Sequence, residues 1–257
     1  MNRTFWPGHP KAVDADGVFL TAAWQHLAML NYEVDPRLLS PFIPTGTELD
    51  CCNGETFISL VGFRFLQTKM FGLLPIPMHS NFDEVNLRFY VRRQVEGEIR
   101  RGVVFLRELV PRRAIAFVAR TFYNENYLAV QMAHEIQPVG DQNLAVAYRW
   151  RGGELWNEIN LETTGNPELP REGSLEQFIT EHYWGYAAQP GGGCVEYRVE
   201  HPSWRVWQSR QSAFAGDGEE FYGKEIAEVL RSKPQSAFLA EGSAVTVKRG
   251  RRLRVCH

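Results

Sequence analysis

Lysine is scarce in this 257-residue chain: Lys11, Lys69, Lys224, Lys233 and Lys248 are its only examples, each in polar or loop-like sequence. Chemistry that needs a buried primary amine therefore has few places to arise. Cysteine is scarce too. Adjacent Cys51 and Cys52 are poor disulfide partners, and neither they nor Cys194 and Cys256 have metal-site spacing. Free thiols in a reducing cytoplasm are the expectation. No apolar run approaches the ~20 residues that span a bilayer. The first residues, MNRTFWPGHPKAVDADG, lack the apolar core of an export signal, so 1–17 is expected to be a loose arm. A net charge of −2 gives no general attraction for nucleic acid or acidic membranes. There is no G-x-S-x-G elbow, phosphate-binding loop, dinucleotide fingerprint or paired-histidine motif, and no cofactor or metal is expected.

What is present is a chain 44% apolar, long enough to bury a sizeable core. Turn signals recur at hairpin spacing: Glu96–Gly97, Gly152–Gly153, Pro190 to Gly193, and Gly242. Short β-branched and aromatic runs between them indicate antiparallel meanders. Thr163–Gly173 reads as a loop between elements. Three helices are expected. One starts at the Asp35–Pro36 cap and ends near Pro44; a second follows the capping box Ser174-x-x-Gln177. The third, GEEFYGKEIAEVLRSKP, places Phe221, Ile226, Val229 and Leu230 on one face. The segment AWQHLAMLNYEV fits helix and strand equally. The class is β-rich α+β with a few peripheral helices, one domain over 18–248 and a C-terminal tail over 249–257.

The densest polar signal lies in the run from Val118 to Leu128, VARTFYNENYL, which sets Arg120, Tyr123 and Tyr127 beside apolar sequence. Such groups must be satisfied by partners, water or a ligand. A second signal is FDEVNLRFYV, in which Glu84, Asn86, Arg88 and Tyr90 alternate with Val85, Leu87, Phe89 and Val91. A polar row on a strand is most often a solvated face. In a curled sheet it can instead line a cavity. Arg120 ends a row of small apolar residues, where it would pair with Glu84 or Glu108 or anchor a ligand oxygen. His26, His79, His182 and His201 form no local pairs, and Trp184, Trp204 and Trp207 read as core or hairpin aromatics.

The segments NYEVDPRLLSPFIPTGTELD, SLVGFRF, NFDEVNLRFYV, VARTFYNENY and SLEQFITEHYWGY, followed by VEHPSW, resemble the YqjF-like family of uncharacterised bacterial proteins, in order from about Trp24 to Trp207. That family in turn resembles acetoacetate decarboxylase. The resemblance implies a curled antiparallel structure, a cone-like barrel, around one small-molecule pocket. It sets Glu84 at an active-site glutamate and Arg120 at the decarboxylase arginine. It also sets Tyr127 where the Schiff-base lysine stands, Leu128 at that lysine's neighbour and Gln25 at a substrate-binding arginine. Neither Tyr nor Leu can form an imine, so decarboxylation by that route is not expected.

Three functions follow as expectations. The first is a cytoplasmic protein that binds a small, oxygen-containing organic molecule through Glu84, Arg88, Arg120, Tyr123 and Tyr127, without nucleic acid or membrane as partner and with an oligomer left open. The second is a lyase, hydratase or isomerase with Glu84 as general base and Arg120 or Tyr127 as electrophile. A nearby arginine is expected to lower the Glu84 pKa, against that role. The third is a structural protein whose polar groups are satisfied internally.

Overall fold

The computed structural model describes residues 17–72, 74–75, 80–111, 126–190 and 192–253. The alternating runs form strands, as period-two burial demands. In chain order these are β1 (Val18–Val34), β2 (Glu48–Leu49), β3 (Thr56–Met70), β4 (Leu74–Pro75), β5 (Phe82–Val95) and β6 (Glu98–Val110). Then come β7 (Tyr127–Ala129), β8 (Met132–Val139), β9 (Asn143–Gly152), β10 (Leu155–Glu168), β11 (Trp184–Ala188) and β12 (Cys194–Glu200). The last are β13 (Val206–Ala215), β14 (Ser236–Lys248) and β15 (Arg251–Leu253).

Hydrogen bonding orders them β15-β12-β11-β6-β5-β3-β1-β14-β13-β10-β9-β8. Strand β12 also pairs with β14, Val199 opposite Val247, so the path from β12 through β11, β6, β5, β3 and β1 to β14 returns to its start. The result is the expected β-rich, curled-sheet class. Among these pairs, β1 with β3, β3 with β5 and β5 with β6 are antiparallel, and β6 runs parallel to β7 and β11.

Strands β1, β3 and β5 are buried on both faces. Leu30, Leu60 and Leu87 pack outward with Tyr148 and Trp150; Met29, Val61 and Tyr90 pack inward with Phe178 and Trp204. Double burial explains why AWQHLAMLNYEV reads as continuously apolar: it is β1, not a helix.

Irregularities in the ladder decide which side chains face inward. His26 and Gln67, both at φ 54°, mark register breaks in β1 and β3. A third break lies in β6, where Leu87 opposes Arg107 but Arg88 opposes Phe105. Each extra residue shifts the inward parity by one. Gly242, expected in a hairpin turn, instead lies within β14 opposite the β1 bulge, at φ 82°. A Cβ there would meet the Trp24 carbonyl oxygen at 2.0 Å, so only glycine fits.

Three other expectations are corrected. The third helix is two, α3 (Glu219–Tyr222) and α4 (Lys224–Arg231), divided at Gly223, whose φ of 79° cannot continue a helix. Thr163 to Glu168 belong to β10 rather than to a loop. Arg251–Leu253, expected in a tail, pairs with β12. The first two helices stand as anticipated. Asp35 accepts from the Arg37 amide at 2.8 Å ahead of α1 (Pro36–Leu39), and Ser174 accepts from the Gln177 amide at 3.2 Å ahead of α2 (Leu175–Thr180).

Charge also ties strands together. The buried Glu196 carboxylate on β12 accepts from Arg93 at 2.9 Å, Arg100 at 2.8 Å and Arg251 at 3.1 Å. One carboxylate so linked to β5, β6 and β15 is well compensated. At the β6–β11 contact, Gly102 faces Trp184 with no room for a side chain: a Cβ would lie 2.7 Å from the Trp184 carbonyl oxygen. Gly102→Ala is expected to lower stability by about 1–3 kcal/mol in urea denaturation, and an unchanged midpoint would contradict this packing.

Candidate functional site

Inward parity gathers side chains from five consecutive neighbours in the sheet around a cavity of about 180 Å3. Strand β1 contributes Trp24 and Leu27; β3 contributes Val61, Phe63, Phe65 and Thr68; β5 contributes Phe82, Glu84, Asn86 and Arg88. Phe105 and Glu108 come from β6, and Tyr127 from β7. The walls are chiefly aromatic and aliphatic, and the polar groups concentrate along β5 and its neighbours.

Glu84, Asn86 and Glu108 are each 2% exposed. The polar row of β5 is therefore not a solvated face. Strand curvature closes the sheet over it, and alternation then turns the row toward the cavity. The Glu84 carboxyl accepts from Asn86 Nδ2 at 2.9 Å and from the Tyr127 hydroxyl at 3.3 Å. Burial pushes its pKa up to about 7; Asn86, Tyr127 and the Arg88 charge oppose that rise without cancelling it. The expectation that arginine would hold this pKa down is thus overturned. Desolvation wins because Arg88, four residues along the strand, makes no ion pair with Glu84, whereas removal from water is complete.

Arg88 itself is half-buried. Its Nη2 donates to the Ile179 carbonyl at a long 3.4 Å and lies 4.0 Å from Met29 Sδ. Its guanidinium carbon stands 5.8 Å from the Tyr90 ring centroid, and among the described residues Nε has no hydrogen-bond partner. Among the described residues no carboxylate reaches it within 4.0 Å, and Asn86 Oδ1 likewise has no hydrogen bond.

Of the anticipated site residues, Glu84, Arg88 and Tyr127 line this cavity together. Arg120 and Tyr123 lie outside the described residues, as does His79. Leu128 turns away from Tyr127 and packs against the outer core.

Other lining residues escaped sequence reasoning. Glu108, expected only as a partner for Arg120, lines the cavity: simple alternation along β6 would set it opposite Phe105, and the bulge restores it to the same face. His182 lies just beyond α2, its Nε2 donating to Asp50 Oδ2 at 3.1 Å while Arg101 Nη2 donates to Asp50 Oδ1 at 3.1 Å. Burial lowers the His182 pKa, and the Asp50 carboxylate opposes that shift. Burial also lowers His201 to about 4; its ring stacks on Trp204 at 4.0 Å. Trp184 and Trp204, expected as core aromatics, are part of the wall. The Glu–His and Asp–His spacings across the chain carry no local signal. Among the described residues no three His, Cys, Asp or Glu side chains gather as a metal site, and no helix is long and apolar enough to cross a membrane.

Comparison with known proteins agrees with this architecture. The family model DUF2071, described as an uncharacterized conserved protein, matches residues 21–244. The chain is similar to uncharacterized protein YqjF of Bacillus subtilis (strain 168), 27% identical over 188 residues, covering 73% of this chain and 75% of that one. Among solved structures, acetoacetate decarboxylase from Legionella pneumophila superposes with a TM-score of 0.64 at 13% identity, covering 97% of this chain and 93% of that one. The enduracididine biosynthesis enzyme MppR complexed with pyruvate gives 0.62 at 14% identity, covering 95% and 93%. At such identities the likeness establishes the fold: the acetoacetate decarboxylase-like one.

The Glu84 carboxyl supplies a test of the site's electrostatics. Its pKa is raised in the folded state from near 4.5 to about 7, so folding binds its proton more tightly than the unfolded chain does. Its contribution to stability is complete below pH 4.5 and is lost as pH rises to about 7. Relative to Glu84→Gln, which cannot ionise, the wild type should lose on the order of 3 kcal/mol across that interval and then level off. Urea melts from pH 4 to 8 check this; a difference that stays flat would contradict it.

Proposed function

The chain belongs to the DUF2071 family of uncharacterised conserved proteins, and from that premise we propose that its cavity binds a small, oxygen-containing organic molecule without a covalent bond to it. The observation that carries this reading is a chiefly apolar cavity with the half-buried Arg88 and the Glu84–Tyr127 pair in its wall, where Asn86 Oδ1 and Arg88 Nε, buried just behind the surface, have no hydrogen-bond partner among the described residues. Buried groups without partners are costly, and a ligand that supplies the missing bonds recovers that free energy on binding. Tyr127, beside Glu84, adds a hydroxyl, and Arg120 and Tyr123 are proposed to complete the polar wall.

The noncovalent part rests on the side chains present. An imine requires a primary amine, and no lysine stands among the described residues that line the cavity. Tyr127 takes the place that the decarboxylase resemblance gives to the reactive lysine. Binding of pyruvate by MppR, a protein of the same fold, supports a small organic molecule as occupant here. The reading extends to one domain over 18–248, working in the cytoplasm, with neither nucleic acid nor membrane as partner.

A second reading is favoured by one observation. A carboxyl titrating near neutrality inside a cavity is suited to moving a proton. In that case Glu84 acts as general base for a lyase, hydratase or isomerase reaction, with Tyr127 or Arg120 polarising the substrate oxygen. Hydrogen–deuterium exchange at the α-carbon of bound carbonyl compounds, followed by NMR, separates the two. Exchange that disappears in Glu84→Gln assigns the base; its absence leaves binding alone.

Native mass spectrometry of the full chain with small carboxylates, β-diketones and aromatics tests the main reading. The expected result is one-to-one complexes that dissociate on denaturation, and no added mass after borohydride treatment with acetoacetate. Silence across the library, or a borohydride-fixed adduct, would overturn it.

A further inference from the structure

We propose, resting on the noncovalent reading above, that the ligand is a monocarboxylic acid with a compact apolar body, its carboxylate seated on Arg88 and its body among Trp24, Phe63, Phe65 and Phe82. The charge comes first. Arg88 is a half-buried cation with one long bond to a backbone carbonyl and, among the described residues, no ion pair and no partner for its buried Nε. A guanidinium withdrawn from water needs an anion or several good acceptors, and its planar fork suits a carboxylate. The same cavity provides no second cation among its described lining residues, and Glu84 and Glu108 already bring carboxyl groups to it, so a ligand can carry no more than a single negative charge, placed at Arg88. A phosphate dianion would stay half-neutralised against apolar walls, at the desolvation cost that such burial imposes.

The remainder of the ligand follows from the walls. Trp24 stands edge-on to Phe63 and Phe65 at 5.4 and 5.6 Å, and Phe65 stacks on Phe82 at 4.6 Å. These rings meet the cavity with their apolar surfaces. A void of about 150 Å3 with apolar walls admits benzene, and this cavity measures about 180 Å3. It therefore has room for one ring or a branched alkyl group beyond the carboxylate. Pyruvate or acetoacetate would satisfy Arg88 but leave the aromatic wall uncovered, forgoing the apolar burial that drives such binding. Asn86 Oδ1, two residues from Arg88 on the same strand face, adds preference for a hydroxyl or N–H next to the carboxylate.

Calorimetric titration of the full chain with phenylacetate, phenylacetamide, 2-phenylethylamine and pyruvate tests the ligand class. Phenylacetate should bind roughly tenfold to a hundredfold more tightly than its neutral amide, the range that one charge-assisted bond supplies. It should also surpass pyruvate, and the amine should not bind. Quenching of tryptophan fluorescence, from Trp24 and Trp204 in the wall, should accompany it. In Arg88→Gln the acid should fall to the level of the amide while the amide is unchanged. Equal binding of acid and amide by the wild type, or tighter binding of pyruvate, would overturn the ligand class and leave the binding reading standing. Failure of every probe and of the wider carboxylate, diketone and aromatic library would overturn both. The wild-type comparison decides the matter even where Arg88→Gln does not fold.

Discussion

Of the three glutamates among the described residues buried to 2% exposure in the same curled sheet, Glu84 and Glu196 are treated in opposite ways. Glu196 receives three arginines and serves as a charged tie between strands. Glu84 receives an amide and a phenol, and among the described residues no ion pair. A carboxyl removed from water without a cation is driven toward its neutral form. Ring closure through β12 and β14 helps create that environment, because it turns the β5 polar row inward instead of toward solvent. The raised pKa, the Arg88 guanidinium without an ion pair among the described residues and the apolar walls are consequences of one enclosure.

That enclosure was only partly legible in the sequence. Alternation along β5 correctly grouped Glu84, Asn86, Arg88 and Tyr90 on one face. It could not say what lay beyond the face, because solvent and cavity produce the same period-two pattern. Caps were readable because Asp35 and Ser174 act within three residues of themselves. Gly223 was not recognised as a break, since the apolar periodicity of Phe221 and Ile226 runs across it.

Bulges hid more. Trp24 and Leu27 have opposite parity yet share the cavity, because His26 inserts a residue between them; Phe65 and Thr68 do so across Gln67. Phe105 and Glu108 repeat the pattern in β6. Nothing about His26 or Gln67 signals a positive φ, a conformation normally left to glycine or asparagine. The Asp50–His182 contact, 132 residues apart in the chain, depends wholly on the tertiary fold. By contrast, Glu84 and Tyr127, which the family resemblance places at corresponding positions of one site, are hydrogen-bonded to each other.

At the centre stands Glu84 as a desolvated carboxyl facing the cavity. Carbon-13 NMR of the protein labelled at glutamate carboxyls, with Glu84→Gln for assignment, observes that group directly. The account predicts one carboxyl resonance with a midpoint near the value of about 7 given by its burial, displaced when a cavity ligand binds. If every glutamate carboxyl titrates below about 5, in the range of solvated groups, Glu84 is not enclosed as described and the account is wrong.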